Sequence, residues 1–160
     1  MSRGSHPSSV TGFTLVELVV VLGIIGVLAA IAVPRFFDNQ TFEERGYLEE
    51  LVAAFRFAQK LSVASGCAVR VSLDANGYDA RQQQPLAGRC DPGDATWSTP
   101  VVLADGQTLA GTTPAGVSVS PNTVFVFNAL GGTNLGGDQV VTVGSWSFTV
   151  RAASGYVDAP

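Results

Sequence analysis

Apolar residues run almost unbroken from Phe13 to Val33, reading FTLVELVVVLGIIGVLAAIAV, 21 residues that carry a single charge, Glu17. As a helix this run measures about 31 Å at 1.5 Å per residue, the thickness of a bilayer's hydrocarbon. The stretch before it, MSRGSHPSSVTG, is polar, carries Arg3 and has no hydrophobic region of its own. Pro34 follows the run. It lacks an N–H and its ring crowds the carbonyl of Ala30, which predicts a kink at the membrane boundary. Beyond it Leu48, Leu51, Val52, Phe55 and Ala58 recur at helical spacing, with Glu49, Glu50, Arg56 and Gln59 on other faces. This is an amphipathic helix whose apolar stripe docks on a globular head, with Ser65-Gly66 as its C-cap.

From Cys67 the period falls to two. Cys67, Val69, Val71 and Leu73 alternate with Ala68, Arg70 and Ser72, a half-buried strand. Asn76-Gly77 predicts a type I′ turn that pairs Leu73 with Ala80 and Ser72 with Arg81. Further strands are expected at Val101 to Leu103, Val117 to Val119, Val124 to Phe127, Val140 to Val143 and Trp146 to Val150, between Gly- and Pro-rich turns. The expected fold is α+β: a long, kinked N-terminal helix, its first half transmembrane, packed by its second half on an antiparallel β-sheet head. The divisions follow as leader 1–12, span 13–33, amphipathic helix 34–66 and β head 67–160.

A secretory signal places its small-residue cleavage site after the apolar run, whereas the Gly12-Phe13 junction precedes it. Cutting there would discard the polar leader and keep the anchor. Glu17 sets a carboxylate near the start of a lipid-exposed helix, at a cost of at least a few kcal/mol. Cleavage would create an ammonium on Phe13, one helical turn away, and a neighbouring subunit could offer the same ammonium to Glu17. The competing interpretation is an ordinary single-span anchor that tolerates one acidic residue near the headgroups.

The net charge of −4 argues against nucleic acid as the default partner. His6, the single histidine, falls in the expected leader, so the mature chain would hold no imidazole, which weighs against an enzyme. No cofactor is expected. Cys67 and Cys90 are the two cysteines; in an exported chain they suit one bridge, closing a loop around the first hairpin. Two cysteines without histidine make poor zinc ligands, and a catalytic thiol would need a nearby base. Asp91-Pro92-Gly93-Asp94, with Asp105 and Asp138, could ligate calcium, but Asp, Pro and Gly are also what turns demand. Arg70, Arg81, Arg89 and Arg151 could form a basic patch, yet they are interleaved with Asp79, Asp91 and Asp94. Gly131-Gly132 and Gly136-Gly137 lack the strand-to-helix setting of a phosphate loop and fit a hairpin loop better.

Gly12-Phe13-Thr14-Leu15-Val16-Glu17, followed by the apolar run and Pro34, resembles the signature of type IV pilins and type II secretion pseudopilins. The resemblance implies that a prepilin peptidase cuts after Gly12 and N-methylates Phe13, and that Glu17 serves assembly. The head, from Val124-Phe125-Val126-Phe127-Asn128-Ala129-Leu130-Gly131 to Gly155-Tyr156-Val157, resembles the GspH/FimT group of minor pilins and pseudopilins. Arg56-Phe57-Ala58-Gln59-Lys60 and Val63-Ala64-Ser65-Gly66-Cys67 are similar to minor pilins of mannose-sensitive haemagglutinin pili. Implied is a minor subunit that assembles into, primes or caps a filament, with secretion pseudopilin, or a head that binds DNA or a surface, as alternatives. Its partners would be other pilin or pseudopilin subunits, the peptidase, the inner-membrane assembly platform and, before assembly, lipid. Its place would be a single pass in the bacterial inner membrane with a periplasmic head, then a filament.

Overall fold

The computed structural model describes residues 13–32, 39–86, 89–91 and 93–160. Gly12, where cleavage is expected, and Pro34, where the kink is expected, lie outside them. The chain divides into two units, residues 1–38 and 39–160.

The first unit holds helix α1, Leu15–Ala32. The helix satisfies its interior backbone groups within itself, and its almost purely aliphatic side chains offer no polar face to water. Among the described residues, no helix is long and apolar enough to cross a membrane. The 18 residues of α1 fall just short of the roughly 20 a span needs. Val33, the last residue of the apolar run, is outside the described set.

The second unit begins with α2, Asn39–Ser65, which closes on Gly66 at φ 68°, a left-handed cap that glycine adopts without strain. Its stripe is buried as the spacing predicts: Leu51, Phe55 and Ala58 are wholly inaccessible, and Leu48 and Val52 nearly so. Under it lie two antiparallel sheets. The first orders β5 (Thr99–Pro100), β2 (Gly77–Gln82), β1 (Val69–Asp74) and β8 (Thr123–Phe127), with β6 (Ala110–Thr112) also on β2. The second orders β11 (Val157–Asp158), β10 (Trp146–Val150), β9 (Gln139–Val143) and β7 (Val119–Ser120). A small hairpin of β3 (Pro85–Leu86) and β4 (Arg89–Cys90) stands apart. The fold is therefore α+β, helix on antiparallel sheet, with two sheets where one was expected.

Phe55 lies where helix and sheets meet. It packs edge-on against Phe125 at 4.8 Å and Phe127 at 6.2 Å from β8, and against Phe148 at 5.4 Å from β10. Each such buried aromatic stabilises by about 1.5–3 kcal/mol through area alone. The sheets are also joined through Thr133 and Asn134. Thr133 donates its N–H to the Ala152 carbonyl, while Asn134 exchanges bonds with Val126 through its own N–H and its Oδ1.

The first hairpin departs from the predicted register. Leu73 pairs with Tyr78 and Ser72 with Asp79, and the loop is Ala75-Asn76. Asp74 Oδ1 accepts the N–H groups of Asn76 and Gly77, so an aspartate turn starts one position earlier than an Asn-Gly turn would. Among the described residues, the sole non-glycine with positive φ is Trp97, at 53°, so neither Ala75 nor Asn76 has the type I′ geometry. Gly77 belongs to β2, where a Cβ would meet the Gly111 carbonyl of β6. The shift moves the pairing by two, and Leu73, Tyr78 and Ala80 still face the core. Gly131-Gly132 lie in a tight antiparallel reversal at the end of β8, where Phe127 bridges Thr133 and the Asn128 N–H donates to the Gly132 carbonyl, while Gly136-Gly137 lie in the segment that then crosses to β9 in the second sheet.

Candidate functional site

Phe13 and Thr14 lead into α1. The Glu17 N–H donates to Thr14 Oγ1 at 3.3 Å and the Leu18 N–H to the Thr14 carbonyl at 3.2 Å, so Thr14 is the N-cap and Glu17 sits at its third position. A carboxylate there faces the positive end of the helix dipole, a favourable placement independent of any partner. The Thr-x-x-Glu spacing is a capping-box signature, legible in the sequence and missed by a motif reading that assigned Thr14 nothing. Among the described residues the Glu17 carboxylate has no hydrogen-bond or ion-pair partner.

Its surroundings are apolar and open. Phe13 and Leu15 are each 79% exposed, and Leu18, Leu22, Ile24, Ile25 and Leu28 are all exposed along the same helix. Contiguous apolar surface on this scale marks a site that lipid or other helices cover. Phe13 precedes the N-cap and so lies just outside the helix, four residues before Glu17.

Cys67 and Cys90 form a disulfide with Cα atoms 5.3 Å apart. It ties the end of α2 to the β3–β4 hairpin, which no sheet otherwise holds. The carboxylates proposed for calcium are each engaged by groups of the head itself. Asp91 accepts from the Gly93 N–H and Asp105 from the Gln107 N–H, while Asp138 binds Arg151 and the Ala152 N–H. Asp94 accepts from Thr96 Oγ1 and from the N–H groups of Gln84, Thr96 and Trp97; these bonds, the Thr96 hydroxyl foremost, draw its carboxyl down to about 2. Among the described residues no group of three His, Cys, Asp or Glu side chains is placed to hold a metal.

Of the four arginines, two are paired with aspartates and a third lies over a ring. Arg81 pairs with Asp79 at 2.9 Å, Arg151 bridges Asp138 and Asp158, and the Arg70 guanidinium lies 5.4 Å from the Trp97 ring centroid. The observed register does set Arg70 directly opposite Arg81, which the predicted one did not.

One carboxylate of α2 escaped the sequence reading, Glu44, and a second, Glu50, lies off the apolar stripe as expected. Glu44, 6% exposed, continues the buried stripe one turn below Leu48, accepts the Ser145 N–H at 3.0 Å and pairs with Gln40 Nε2. Gly144, at φ 55°, gives it room, since a Cβ there would strike the carboxylate. Glu50 accepts the Tyr78 hydroxyl at 2.9 Å. Burial first, and this bond second, push the Tyr78 phenol up.

Family comparison joins the two units to known groups. The family described as Type II transport protein GspH matches residues 48–156, and the prokaryotic N-terminal methylation motif matches residues 8–33. The type IV major fimbrial protein FimA of Dichelobacter nodosus is 34% identical over 87 residues, 51% of this chain and 47% of the relative. The type IV narrow pilus major component PilA5 of Thermus thermophilus is 45% identical over 51 residues, 32% of this chain and 44% of the relative. The type IV major pilin protein PilA of Myxococcus xanthus is 45% identical over 49 residues, 31% and 22% of the two chains. The chain spans less than half the length of these relatives. No solved structure gives a significant match.

Proposed function

Since the chain belongs to the type II transport protein GspH family, we propose that it is a structural subunit, a minor pilin or pseudopilin, that assembles into, primes or caps a type IV pilus-like filament. The observation that carries this reading is α1: a methylation-motif segment whose apolar side chains are exposed from Leu15 to Leu28, with one carboxylate in the first turn. Such a helix is stable in lipid or among its own kind. In the proposed sequence of events the leader is removed between Gly12 and Phe13 by a prepilin peptidase, Phe13 is methylated, and residues 13–33 hold the chain as a single pass in the inner membrane. The head then lies in the periplasm until an assembly platform draws the subunit from lipid into a filament. Glu17 meets the Phe13 ammonium of a neighbour there, which relieves the cost of a carboxylate in an apolar medium. The family's name favours a secretion filament as the second reading, and the relatives' names favour a pilus.

Glu17 is the test. Glu17→Ala and Glu17→Gln should leave membrane insertion, leader cleavage and the head intact. Incorporation into sheared filaments should fall about tenfold or more, because the neighbour's ammonium then has no partner in lipid. Glu17→Asp should be intermediate, keeping the charge and losing reach. Mass spectrometry should find an N-terminal methylated phenylalanine in membrane-extracted protein. Wild-type incorporation of Glu17→Ala, with processing confirmed, would remove the carboxylate from the assembly mechanism.

A further inference from the structure

Arg70 and Arg81 stand side by side on the outer face of the first sheet. The register sets Arg70 of β1 between Val126 of β8 and Arg81 of β2, all three half-buried, while Val69, Val71 and Ala80 turn into the core. Like charges directly opposite one another destabilise a sheet, so the pair needs compensation. Arg81 has it: the two Asp79 carboxylate oxygens accept its Nε at 2.9 Å and its Nη2 at 3.4 Å. Among the described residues Arg70 has neither a hydrogen bond nor a carboxylate partner, and its Nε is enclosed without an acceptor. Two guanidiniums against one carboxylate leave the row with one uncompensated positive charge.

That charge is also held in place. The Arg70 guanidinium carbon lies 5.4 Å from the Trp97 ring centroid, and Trp97 keeps φ 53°, a left-handed conformation that a bulky residue enters only at a cost. Asp94 fixes it there by accepting the N–H groups of Thr96 and Trp97 and the Thr96 hydroxyl. A ring face attracts the cation but supplies no lone-pair acceptor for its N–H groups. The contact positions the charge without neutralising it. With the Nε edge already out of water and the residue as a whole half-buried, the Nη end of the fork is left to meet an anion, and the partial desolvation strengthens that pairing.

We infer that the Arg70–Arg81 row receives the carboxylate of an aspartate or glutamate presented by a neighbouring filament subunit of a different kind. The inference rests on the minor-subunit reading, under which the neighbours of this chain are other proteins. A carboxylate fits on three counts. Its planar pair of oxygens matches the guanidinium fork, and its single charge equals the one the row leaves uncompensated. Val126 and Pro100, which end the row on either side, suit the short apolar stem of an acidic side chain. A nucleic acid strand fits poorly, because its binding grows with the number of phosphates neutralised and its further phosphates would meet Asp79 and the Asp94 turn.

The test places a photoactivatable benzoylphenylalanine at position 124 of the full-length chain in cells that assemble the filament. Val124 is 44% exposed, opposite Ser72 and diagonal to Arg70, so the probe stands beside the row without occupying it. The expected product joins this chain to a different filament subunit, within a few residues of an aspartate or glutamate. Arg70→Gln should lower that product at least tenfold and Arg70→Lys less, since lysine keeps the charge and loses the fork. Arg70→Glu should abolish it, and Asp→Arg or Glu→Arg at the partner's acidic position should restore it. Thermal unfolding of the full-length chain in detergent should be the same for Arg70→Lys and wild type. A link from position 124 to DNA, to a second copy of this chain or to nothing, a product that Arg70→Gln leaves unchanged, or a loss that no charge reversal restores would overturn the inference and leave the filament reading standing. Absence of the wild-type chain from filaments would overturn both.

Discussion

The two helices solve one problem in opposite ways. Both carry a long apolar face and one carboxylate placed on it. In α2 the face meets Phe125, Phe127 and Phe148, and the carboxylate, Glu44, is answered by the Ser145 N–H. Everything that helix needs is in the same chain. In α1 the leucines, isoleucines and valines from Leu15 to Leu28 are exposed and Glu17 has a capped backbone but no partner for its carboxylate among the described residues. What α1 needs must come from outside. Structure-determined stability therefore belongs to the head, and partner-determined placement belongs to α1.

The contrast is broken most severely at Phe55. Phe55→Ala removes the ring that both sheets share, and should cost about 3–5 kcal/mol. That is enough to unfold much of the head near body temperature in detergent-solubilised full-length protein. Leu22→Ala, the same kind of truncation in α1, should leave the unfolding transition of the head where it was. Equal shifts for the two would mean that α1 contributes to the stability of the head.

Removing the disulfide acts on the head alone. Cys67 and Cys90 are separated by 23 residues, and constraining a loop of that size stabilises by about 3 kcal/mol through the unfolded chain. Cys67→Ser with Cys90→Ser should lower the head's stability by that order in chemical denaturation and should free the β3–β4 hairpin first. Peptide mapping without reductant should recover Cys67 and Cys90 linked in the native protein.

The two carboxylates sharpen the comparison further. Glu44→Ala should cost about 1–3 kcal/mol, because the Ser145 N–H loses its buried acceptor. Glu17→Ala should cost the isolated subunit nothing measurable and show only in assembly. Gly144→Ala should resemble Glu44→Ala, since both break the same close approach of α2 to the β9–β10 turn.

The stripe on α2 and the long strands were legible because their signals are periodic: Leu48 to Ala58 at helical spacing, and Val69, Val71 and Leu73 at spacing two. The register of the first hairpin was not, because Asp74 competes with Asn76 for the turn and only the contact of Gly77 with β6 decides between them. The two- and three-residue strands β3, β5, β6 and β11 are too short to have a period. The division into two sheets was not legible, because the Thr133–Ala152 and Asn134–Val126 bonds that link them carry no periodic signal. At the N-terminus Glu17 stood out as a charge in an apolar run, while Thr14 passed as an ordinary polar residue although its spacing to Glu17 spells a cap. Glu44 was legible in principle, one turn before Leu48 on the buried face, and was hidden by its acidic neighbours.

The smallest expected effect lies in the loop beneath the disulfide, where Asp94 ties Gln84 to Thr96 and Trp97. Its carboxylate accepts the Thr96 hydroxyl and three backbone N–H groups, and its folded value of about 2 lies below the roughly 3.9 of an unperturbed aspartate. A depressed value means that the ionised form is bonded in the folded loop, so its contribution is complete above about pH 4 and is lost as pH falls toward 2. Amide exchange at Gln84, Thr96 and Trp97 should accelerate through that window while amides of β10 stay protected. Trp97 fluorescence should report the same transition, since that residue is held at positive φ beside Asp94. Asp94→Asn should show the open loop at neutral pH and no acid transition in these signals. A loop that keeps its protection down to pH 2 would mean that the disulfide and the β3–β4 pairing hold the segment without the carboxylate.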